Sequence, residues 1–226
     1  MNNLRVIWAP NHRLFCFKSL TYNQLIVSIE SYLMQRMITR GALIVLEGVD
    51  RVGKSTQAVR LLEGLRSQSY SSHLMTFPNR STPIGQIISQ YLKGDQHLDD
   101  RVIHLLFSAN RWEMRQELEQ LLSSGTSVIV DRYAYSGVAY SAAKPSLDFE
   151  WCQQSDKGLP KPDSVLYLTA SPDLITSRNG FGEEKYETKS FQEKVRSNYE
   201  KLREKDWKVL FITFLKSLKT FHLFFR

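Results

Sequence analysis

The feature that most limits the fold of this 226-residue chain is the segment GVDRVGKST at residues 48–56. It follows the apolar run ALIVLEG at residues 42–48, which is typical of a strand buried in a parallel sheet. The residues after it have the spacing of a helix. A loop with two glycines, then Lys and Ser, between a buried strand and a helix is the pattern of a phosphate-binding loop, or P-loop. The sequence therefore predicts a site for a nucleoside triphosphate.

The rest of the chain alternates between predicted strands and predicted helices. Further strands are predicted at residues 72–78, 127–131, 163–170 and 207–214, and helices at residues 54–68, 83–93, 99–124 and 190–205. Strands separated by helices favour right-handed crossovers and a parallel sheet with helices on both faces. We predict an α/β protein of the P-loop NTPase fold, with three α/β/α layers, a mainly parallel central sheet and a small lid.

Apolar spacing predicts which face of each helix is buried. The apolar stripes are Val59, Leu62 and Leu65 in the helix after the P-loop, and Val102, Leu105, Leu106 and Leu118 in the long helix at residues 99–124. Residues recurring at three- and four-residue intervals share one face of a helix, so we expect these stripes to pack on the core.

The net charge of +7 suggests a nucleic-acid partner at first sight. However, residues 1–40 hold five Lys/Arg and one acid, and residues 207–226 hold four Lys/Arg and no acid. The residues between them carry a net charge of −1, which disfavours a protein that binds a phosphate backbone. No apolar stretch is long enough for a membrane-spanning helix. Cys16 and Cys152 are too few and too far apart to indicate a disulfide scaffold or a zinc site.

The chain divides into three segments by composition. Residues 1–40 contain one acid among Arg, Ser, Thr and aromatic residues, which is the composition of a transit peptide, and an unstructured leader is an equal alternative. Residues 41–214 hold the predicted P-loop domain. Residues 215–226 form a basic and apolar tail that does not fit the pattern of the domain.

Each residue type in the P-loop has a chemical reason. Glycines at 48 and 53 let backbone N–H groups converge on phosphate oxygens. Lys54 would reach the terminal phosphates, and Ser55 would ligate Mg²⁺. The predicted contacts of the triphosphate in this loop are Gly48, Val49, Asp50, Arg51, Val52, Gly53, Lys54, Ser55 and Thr56. There is no Asn-Lys-x-Asp signature of guanine binding in the sequence.

Other charged residues follow predicted strands or share a helix face with an aromatic ring. Asp131 ends the apolar run SVIVD, where it would hold Mg²⁺ directly or through water, and Arg132 would project into the same crevice. Arg80 follows Phe-Pro-Asn just past another strand. Phe107 and Arg111 are four residues apart, so a ring and a guanidinium would share one face, as a stacked and hydrogen-bonded base requires. A core phenylalanine beside a solvated arginine is the alternative.

The segment SRNGFGEEKYE at residues 177–187 combines two glycines with five charges. It predicts a lid that closes over phosphates, with an ordinary surface loop as an equal alternative.

Six segments together resemble the eukaryotic thymidylate kinases. They are RGALIVLEGVDRVGKSTQ, TFPNRSTPIGQIISQYL, IHLLFSANRWE, VIVDRYAYSGVAYSAAK, EWCQQSDKGLPKPDSVLYL and GFGEEKYE, and the resemblance runs from about Arg40 to Val209. The resemblance implies transfer of the γ-phosphate of ATP to dTMP, giving dTDP for dTTP synthesis, with Mg²⁺ as the cofactor.

The resemblance also implies a role for each matched residue. Arg51, Lys54 and Asp131 would be catalytic, and Ser55 and Asp131 would hold the metal. The implied dTMP contacts are Asp50 at the 3′-hydroxyl, Arg80 and Arg132 at the monophosphate, Phe107 and Arg111 at the base, Tyr140 at the 2′ position, with Ser136, Gly137 and Tyr186 beside them. Arg178 of the lid would lie near the adenine of ATP.

The two ends of the chain depart from the family pattern. After Val209 the family continues with an Asp/Asn-Ala-Ser loop and a last helix, whereas this chain reads LFITFLKSLKTFHLFFR. Two alternatives therefore stay open: a poorly folded or inactive isoform that acts as a binding or dimer partner, and a P-loop ATPase that binds nucleic acid.

The resemblance further implies a homodimer, with the helix at 99–124 as the contact face and no nucleic-acid or membrane partner. The expected compartment is the cytoplasm, with the nucleus as a second location and the mitochondrion as the alternative if residues 1–40 are a transit peptide.

Overall fold

The computed structural model describes residues 40–178 and 181–212, and the backbone of residues 5–6. The strands are β1 (Arg5–Val6), β2 (Leu43–Glu47), β3 (Ser72–Thr76), β4 (Ser127–Asp131), β5 (Ser164–Ala170) and β6 (Lys208–Ile212). The helices are α1 (Lys54–Ser67), α2 (Pro83–Lys93), α3 (Asp100–Glu113), α4 (Arg115–Ser123), α5 (Ala134–Ser141), α6 (Phe149–Cys152), α7 (Pro172–Thr176) and α8 (Lys189–Leu202). The predicted features within residues 1–39 and 213–226, apart from residues 5–6, lie outside the described residues.

The strands form one sheet in the order β1-β6-β5-β2-β4-β3. Strands β2 to β6 run parallel to one another, and β1 adds an antiparallel pair at the edge of β6. Strand β2 is central, because Ile44 lies opposite Ile129 on one side and Ser164 on the other. The predicted α/β fold of the P-loop NTPase type, with a mainly parallel sheet, is confirmed.

The first four residues of strand β2 are apolar because both of its faces are covered. Ile44 and Leu46 pack with buried residues of α1, whereas Leu43 and Val45 pack on the opposite face with residues of α4. All five residues of β2 are buried, including the last one, Glu47. The resulting core has a helical layer on each side of the sheet, as expected of three α/β/α layers.

Two details of the helix predictions were wrong. The helix predicted at residues 99–124 is two helices, because Met114 N–H donates to the carbonyl of Arg111 and interrupts the regular ladder. The predicted apolar stripes also face the wrong way in part. Val59, Val102 and Leu105 are 42%, 45% and 48% exposed, respectively.

The residues that do pack on the core from α1 are Ala58, Leu61 and Leu65. Leu65 belongs to both sets, whereas Ala58 and Leu61 each precede the predicted Val59 and Leu62 by one position. Several faces of this helix carry apolar residues, so spacing alone did not decide which face meets the sheet.

The parallel sheet brings the carboxyl ends of β2, β3 and β4 to one edge. The segments that leave this edge are the P-loop, residues 77–82 and residues 132–133. The described part of the chain holds no helix long and apolar enough to span a membrane.

Candidate active site

The P-loop turns back on itself between β2 and α1. Gly48 has φ 144°, and a Cβ there would lie 2.3 Å from the carbonyl oxygen of Leu168, so only glycine fits. Lys54 is 4% exposed, and its Nζ donates to the carbonyl of Val49 at 2.7 Å. Burial, reinforced by the charge of Arg132, lowers the pKa of Lys54 to about 7. A bound triphosphate would supply the negative charge that this buried amine lacks.

Ser55 and Asp131 meet beside the P-loop, as the sequence predicted. Ser55 Oγ donates to Asp131 Oδ2 at 2.5 Å. The other oxygen, Oδ1, is buried and makes no hydrogen bond with any residue in the described ranges. Hydroxyl and carboxylate oxygens are ligands that Mg²⁺ prefers, and Mg²⁺ usually completes its shell with phosphate and water. The pair therefore fits a metal bound together with a nucleotide.

No group of three or more His, Cys, Asp or Glu side chains that would hold a metal by itself is found in residues 40–178 and 181–212.

Asp50 and Arg132 form an ion pair that joins the P-loop to the end of β4. Arg132 Nη2 donates to Asp50 Oδ1, and Arg132 Nη1 donates to the hydroxyl of Tyr140 at 3.2 Å. Arg132 has φ 67° and Arg51 has φ 58°, a left-handed conformation that costs a non-glycine residue about 1–2 kcal/mol. Strained backbone conformations often occur at functional sites, so the conformation of both arginines favours a functional role for their side chains.

A cleft of about 710 Å³, including its open mouth, lies beside the P-loop. All nine predicted dTMP contacts line it: Asp50, Arg80, Phe107, Arg111, Arg132, Ser136, Gly137, Tyr140 and Tyr186. The structure therefore brings these residues together, although they come from six separate segments of the chain. We call this cleft the acceptor cleft.

Arg111 is fixed in the wall of the acceptor cleft by a carboxylate that sequence reasoning missed. Arg111 Nε donates to Asp156 Oδ1 at 3.1 Å, and Nη2 donates to Oδ2 at 2.7 Å. The two side chains are 2% and 4% exposed. A Cβ on Gly137 would lie 2.5 Å from Arg111 Nη2, so glycine is needed where α5 crosses the guanidinium. Arg111 is thus a buried and oriented donor, and the solvated alternative is wrong.

The lid folds over the P-loop through Glu187. Its carboxylate accepts from Arg51 Nε at 2.6 Å and from Arg51 Nη2 at 3.2 Å. The same carboxylate accepts the backbone N–H groups of Gly182 at 2.9 Å and Glu183 at 3.1 Å. The hydrogen bond from Arg51 to Glu187 raises the pKa of Arg51 above its usual value. Glu187 therefore ties the lid backbone to the arginine of the P-loop.

Two further arginines connect the lid to the site. Arg80 Nη2 donates to Glu184 Oε1 at 2.7 Å across the mouth of the acceptor cleft. Arg178 Nη1 donates to the carbonyl of Arg51, whereas its Nη2 is buried without a hydrogen bond to any described residue. An unpaired donor beside the P-loop is available to a bound nucleotide.

An aromatic cluster carries the lid residue Tyr186 against the acceptor cleft. The ring of Tyr186 stacks on Phe191 at a centroid distance of 4.9 Å and an angle of 10°. It also lies 6.0 Å from the ring of Tyr140, and its hydroxyl donates to that of Tyr91 at 3.2 Å. The end of the lid is therefore packed into the core.

Glu47 is a second residue that sequence reasoning missed. It ends β2 with no exposed surface and accepts from the backbone N–H groups of Tyr133 at 2.9 Å and Ser136 at 3.1 Å and from Tyr199 Oη at 2.8 Å. Burial raises its pKa. Its two backbone partners lie at the start of α5, so Glu47 positions the helix that carries Ser136 and Tyr140. An acid inside a buried apolar run was the available signal.

Comparison with known proteins agrees with this site geometry. A family model described as thymidylate kinase matches residues 46–222. The thymidylate kinase of Arabidopsis thaliana is 54% identical over 171 residues, which cover 76% of this chain and 65% of that protein, just under two thirds of its length. The thymidylate kinase of Dictyostelium discoideum is 52% identical, and 77% of this chain covers 79% of it.

The human thymidylate kinase is 45% identical over 81% of this chain and 87% of its own length. Among solved structures, thymidylate kinase from Candida albicans superposes with a TM-score of 0.71 at 40% identity. That match covers 78% of this chain and 86% of the other.

Proposed function

The chain belongs to the thymidylate kinase family and is a kinase of dTMP, and we propose that Asp50 and Arg51 let its P-loop serve both substrates. The observation that carries this proposal is that the two side chains have different surroundings. Asp50 lines the acceptor cleft, whereas its neighbour Arg51 is bound by the lid above the P-loop. One loop would thus contact the sugar of dTMP and the phosphates of ATP.

In the acceptor cleft, Phe107 and Arg111 would bind thymine, and Arg80 and Arg132 would bind the monophosphate. The support is that a ring and a fixed guanidinium line one part of the cleft, while the other two guanidinium groups line it together with Asp50. Arginine forks match phosphate geometry well, and their charge offsets that of a dianion.

On the donor side, the P-loop backbone, Lys54 and Arg178 would hold ATP. Mg²⁺, held by Ser55 and Asp131 together with phosphate oxygens, would neutralise charge on the triphosphate when bound. The buried oxygen of Asp131 without a hydrogen bond is the observation that supports these ligands.

In the proposed transfer, a phosphate oxygen of dTMP attacks the γ-phosphorus of ATP in line. A new oxygen–phosphorus bond forms as the bond to the β,γ-bridging oxygen breaks, which leaves ADP and dTDP. Phosphoryl transfer needs positioning and charge stabilisation rather than covalent catalysis. Arg51 and Lys54 would stabilise the charge on the transferring group, and Arg80 and Arg132 would offset the repulsion between the two polyanions.

An ADP-release assay with dTMP, dUMP, AMP, DNA or no acceptor tests this function. We expect turnover that requires dTMP. Turnover stimulated only by DNA would favour a nucleic-acid ATPase, and no turnover from a folded sample would favour an inactive isoform. Neither alternative is supported by the relatives, which are named as kinases.

The variant Arg80→Ala tests the phosphate clamp, and Arg115→Ala is its matched control. Their side chains are 45% and 44% exposed, and each pairs with a glutamate. We expect Arg80→Ala to raise the KM for dTMP by about 10- to 100-fold, the worth of a charge-assisted hydrogen bond. Arg115→Ala should leave it within about twofold, since exposed ion pairs contribute little. Equal effects of the two variants would contradict the clamp.

We propose a homodimer that packs through α3. Val102 and Leu105 are exposed on this helix, at i and i+3, and so lie on one face. Light scattering of the wild type and of Val102→Asp/Leu105→Asp would test it: a dimer that becomes a monomer supports the proposal, and a wild-type monomer contradicts it.

We also propose that residues 1–40 are a leader, residues 41–214 the kinase domain with its lid at about 177–187, and residues 215–226 a separate tail. The proposed compartment is the cytoplasm, with or without the nucleus. Microscopy of fluorescent fusions with and without residues 1–40 would test this, since mitochondrial import that depends on those residues would identify a transit peptide instead.

A further inference from the structure

Gln192 is a buried amide that joins the P-loop to the end of the lid. It lies in the first turns of α8 and is 6% exposed. Its Oε1 accepts the backbone N–H of Asp50 at 2.8 Å. Its Nε2 donates to Asp50 Oδ2 at 2.6 Å and to the carbonyl of Tyr186 at 2.9 Å. The orientation of the amide is unambiguous, because its oxygen faces a donor and its nitrogen faces two acceptors.

These bonds hold both oxygens of the Asp50 carboxylate. Oδ1 accepts from Arg132, and Oδ2 accepts from Gln192. A carboxylate held at both oxygens cannot rotate, yet each oxygen has a second lone pair for a ligand. Since Asp50 lines the acceptor cleft, the remaining lone pairs are presented in one fixed direction. Gln192 also fixes the backbone of Asp50, so it controls both the position and the rotation of this group.

We propose that Gln192 is a positioning residue that sets the selectivity for nucleotides with a 3′-hydroxyl, by holding the carboxylate of Asp50 toward the sugar. This inference rests on the proposed contact between Asp50 and the 3′-hydroxyl. A site built to hydrogen-bond a hydroxyl rejects an analogue that lacks it by up to about 10⁴-fold, because its buried acceptor is then left without a partner. That penalty requires a fixed acceptor. A carboxylate that can turn away to water loses little when the hydroxyl is missing.

The hydrogen bond from Gln192 to the carbonyl of Tyr186 also fixes the end of the lid. Tyr186 ends the lid and packs against the acceptor cleft. The amide therefore joins the acceptor-binding residue of the P-loop to the fixed end of the lid, and a loss of Gln192 would loosen both.

The test is the ratio of kcat/KM for dTMP to kcat/KM for 3′-deoxythymidine monophosphate, measured for Gln192→Ala and Gln192→Glu. Glutamate has the same shape but cannot donate to Asp50, so it serves if the alanine variant does not fold. We expect the ratio to fall at least about tenfold, with nearly all of the loss in the value for dTMP. An equal loss for both nucleotides would indicate a merely structural role and overturn the proposal, as would an unchanged ratio.

Asn198→Ala is the matched control on the same helix. Asn198 is also a buried amide, 4% exposed, and its Nδ2 donates to the carbonyl of Ala139 at 3.0 Å. This variant should lose stability without a change in the ratio, and a fall as large as that of Gln192→Ala would overturn the proposal.

The variant Asp50→Asn distinguishes a failure of the proposed Asp50 contact from a failure of the proposed role of Gln192. If Asp50→Asn leaves the ratio unchanged, then the proposed contact with the 3′-hydroxyl is wrong, and the inference fails with it. If Asp50→Asn lowers the ratio but neither variant of Gln192 does, then only the role of Gln192 is wrong.

Discussion

Replacing Asp156 by alanine would test how firmly Arg111 is held in the acceptor cleft. The change removes two hydrogen bonds to Arg111, at 3.1 and 2.7 Å, and an acceptor of Ser108 Oγ at 2.8 Å. The two charged side chains are 2% and 4% exposed, so Arg111 would lose a buried partner of opposite charge. Removing one partner of a buried pair costs about 3–5 kcal/mol. We therefore expect a loss of that size in the free energy of unfolding, or roughly 10 °C in Tm for a chain of this length.

Urea unfolding of Asp156→Ala measures this loss, and Glu119→Ala is its control. Glu119 forms an ion pair with Arg115 at 2.8 Å, but the two side chains are 46% and 44% exposed. An exposed pair is worth about 0–1 kcal/mol, so the control should unfold almost as the wild type does. A loss below about 1 kcal/mol in Asp156→Ala, or one equal to that of the control, would refute the assignment of Arg111 as a buried and fixed charge.

Steady-state kinetics test whether the Arg111–Asp156 ion pair affects binding of the base. Asp156→Ala should raise the KM for dTMP, because Arg111 is no longer held in one orientation. The double variant Arg111→Met/Asp156→Leu should recover most of the stability, since apolar replacements of a buried pair are often neutral or stabilising. It should not recover the affinity for dTMP. Recovery of both would show that Arg111 does not contact the base.

Three other predictions concern the donor side of the site. Asp131→Asn should weaken activation by Mg²⁺ by about 10- to 100-fold in a metal titration of the rate, and an unchanged titration would exclude Asp131 as a ligand. The affinity for ATP, measured by calorimetry, should fall about tenfold per unit of pH above 7. The reason is that bound phosphates stabilise the protonated form of Lys54, whose pKa is about 7 without them. Lys54→Arg should abolish this dependence of the affinity on pH. Arg51→Ala should lower kcat by about 10³-fold or more while the KM for dTMP changes little, and a rise in KM alone would contradict its role in the transfer.

The sequence was sufficient for the parts of this site that form within short segments. The P-loop, the acid at the end of β4 and the Phe107–Arg111 pair could all be predicted, because a strand end or a helical turn fixes their geometry locally. The strand and helix pattern likewise predicted the parallel sheet. Local spacing was not sufficient for the burial of Val59 and Val102, because a helix with apolar residues on several faces can pack in more than one rotation.

The residues that hold the site in place could not be predicted in this way. Glu187, Gln192 and Asp156 each act on a partner far away in the sequence, and none of them belongs to the apolar spacing that predicts a helix or strand. Their identity as partners depends on which loops the sheet order brings together. Carboxylate and amide side chains are common on any surface, so nothing local distinguishes these residues from solvated ones.

The central place of β2 has a consequence for the synthesis of this protein. Strand β2 is among the first parts of the described fold to leave the ribosome, but its two neighbours begin only at Ser127 and Ser164. Until then the nascent chain carries an apolar strand with two open edges, which is the kind of segment that aggregates or recruits chaperones. A translation product that stops before β5 would contain the whole P-loop but would lack Leu168, Glu187 and Gln192, which contact it in the complete fold.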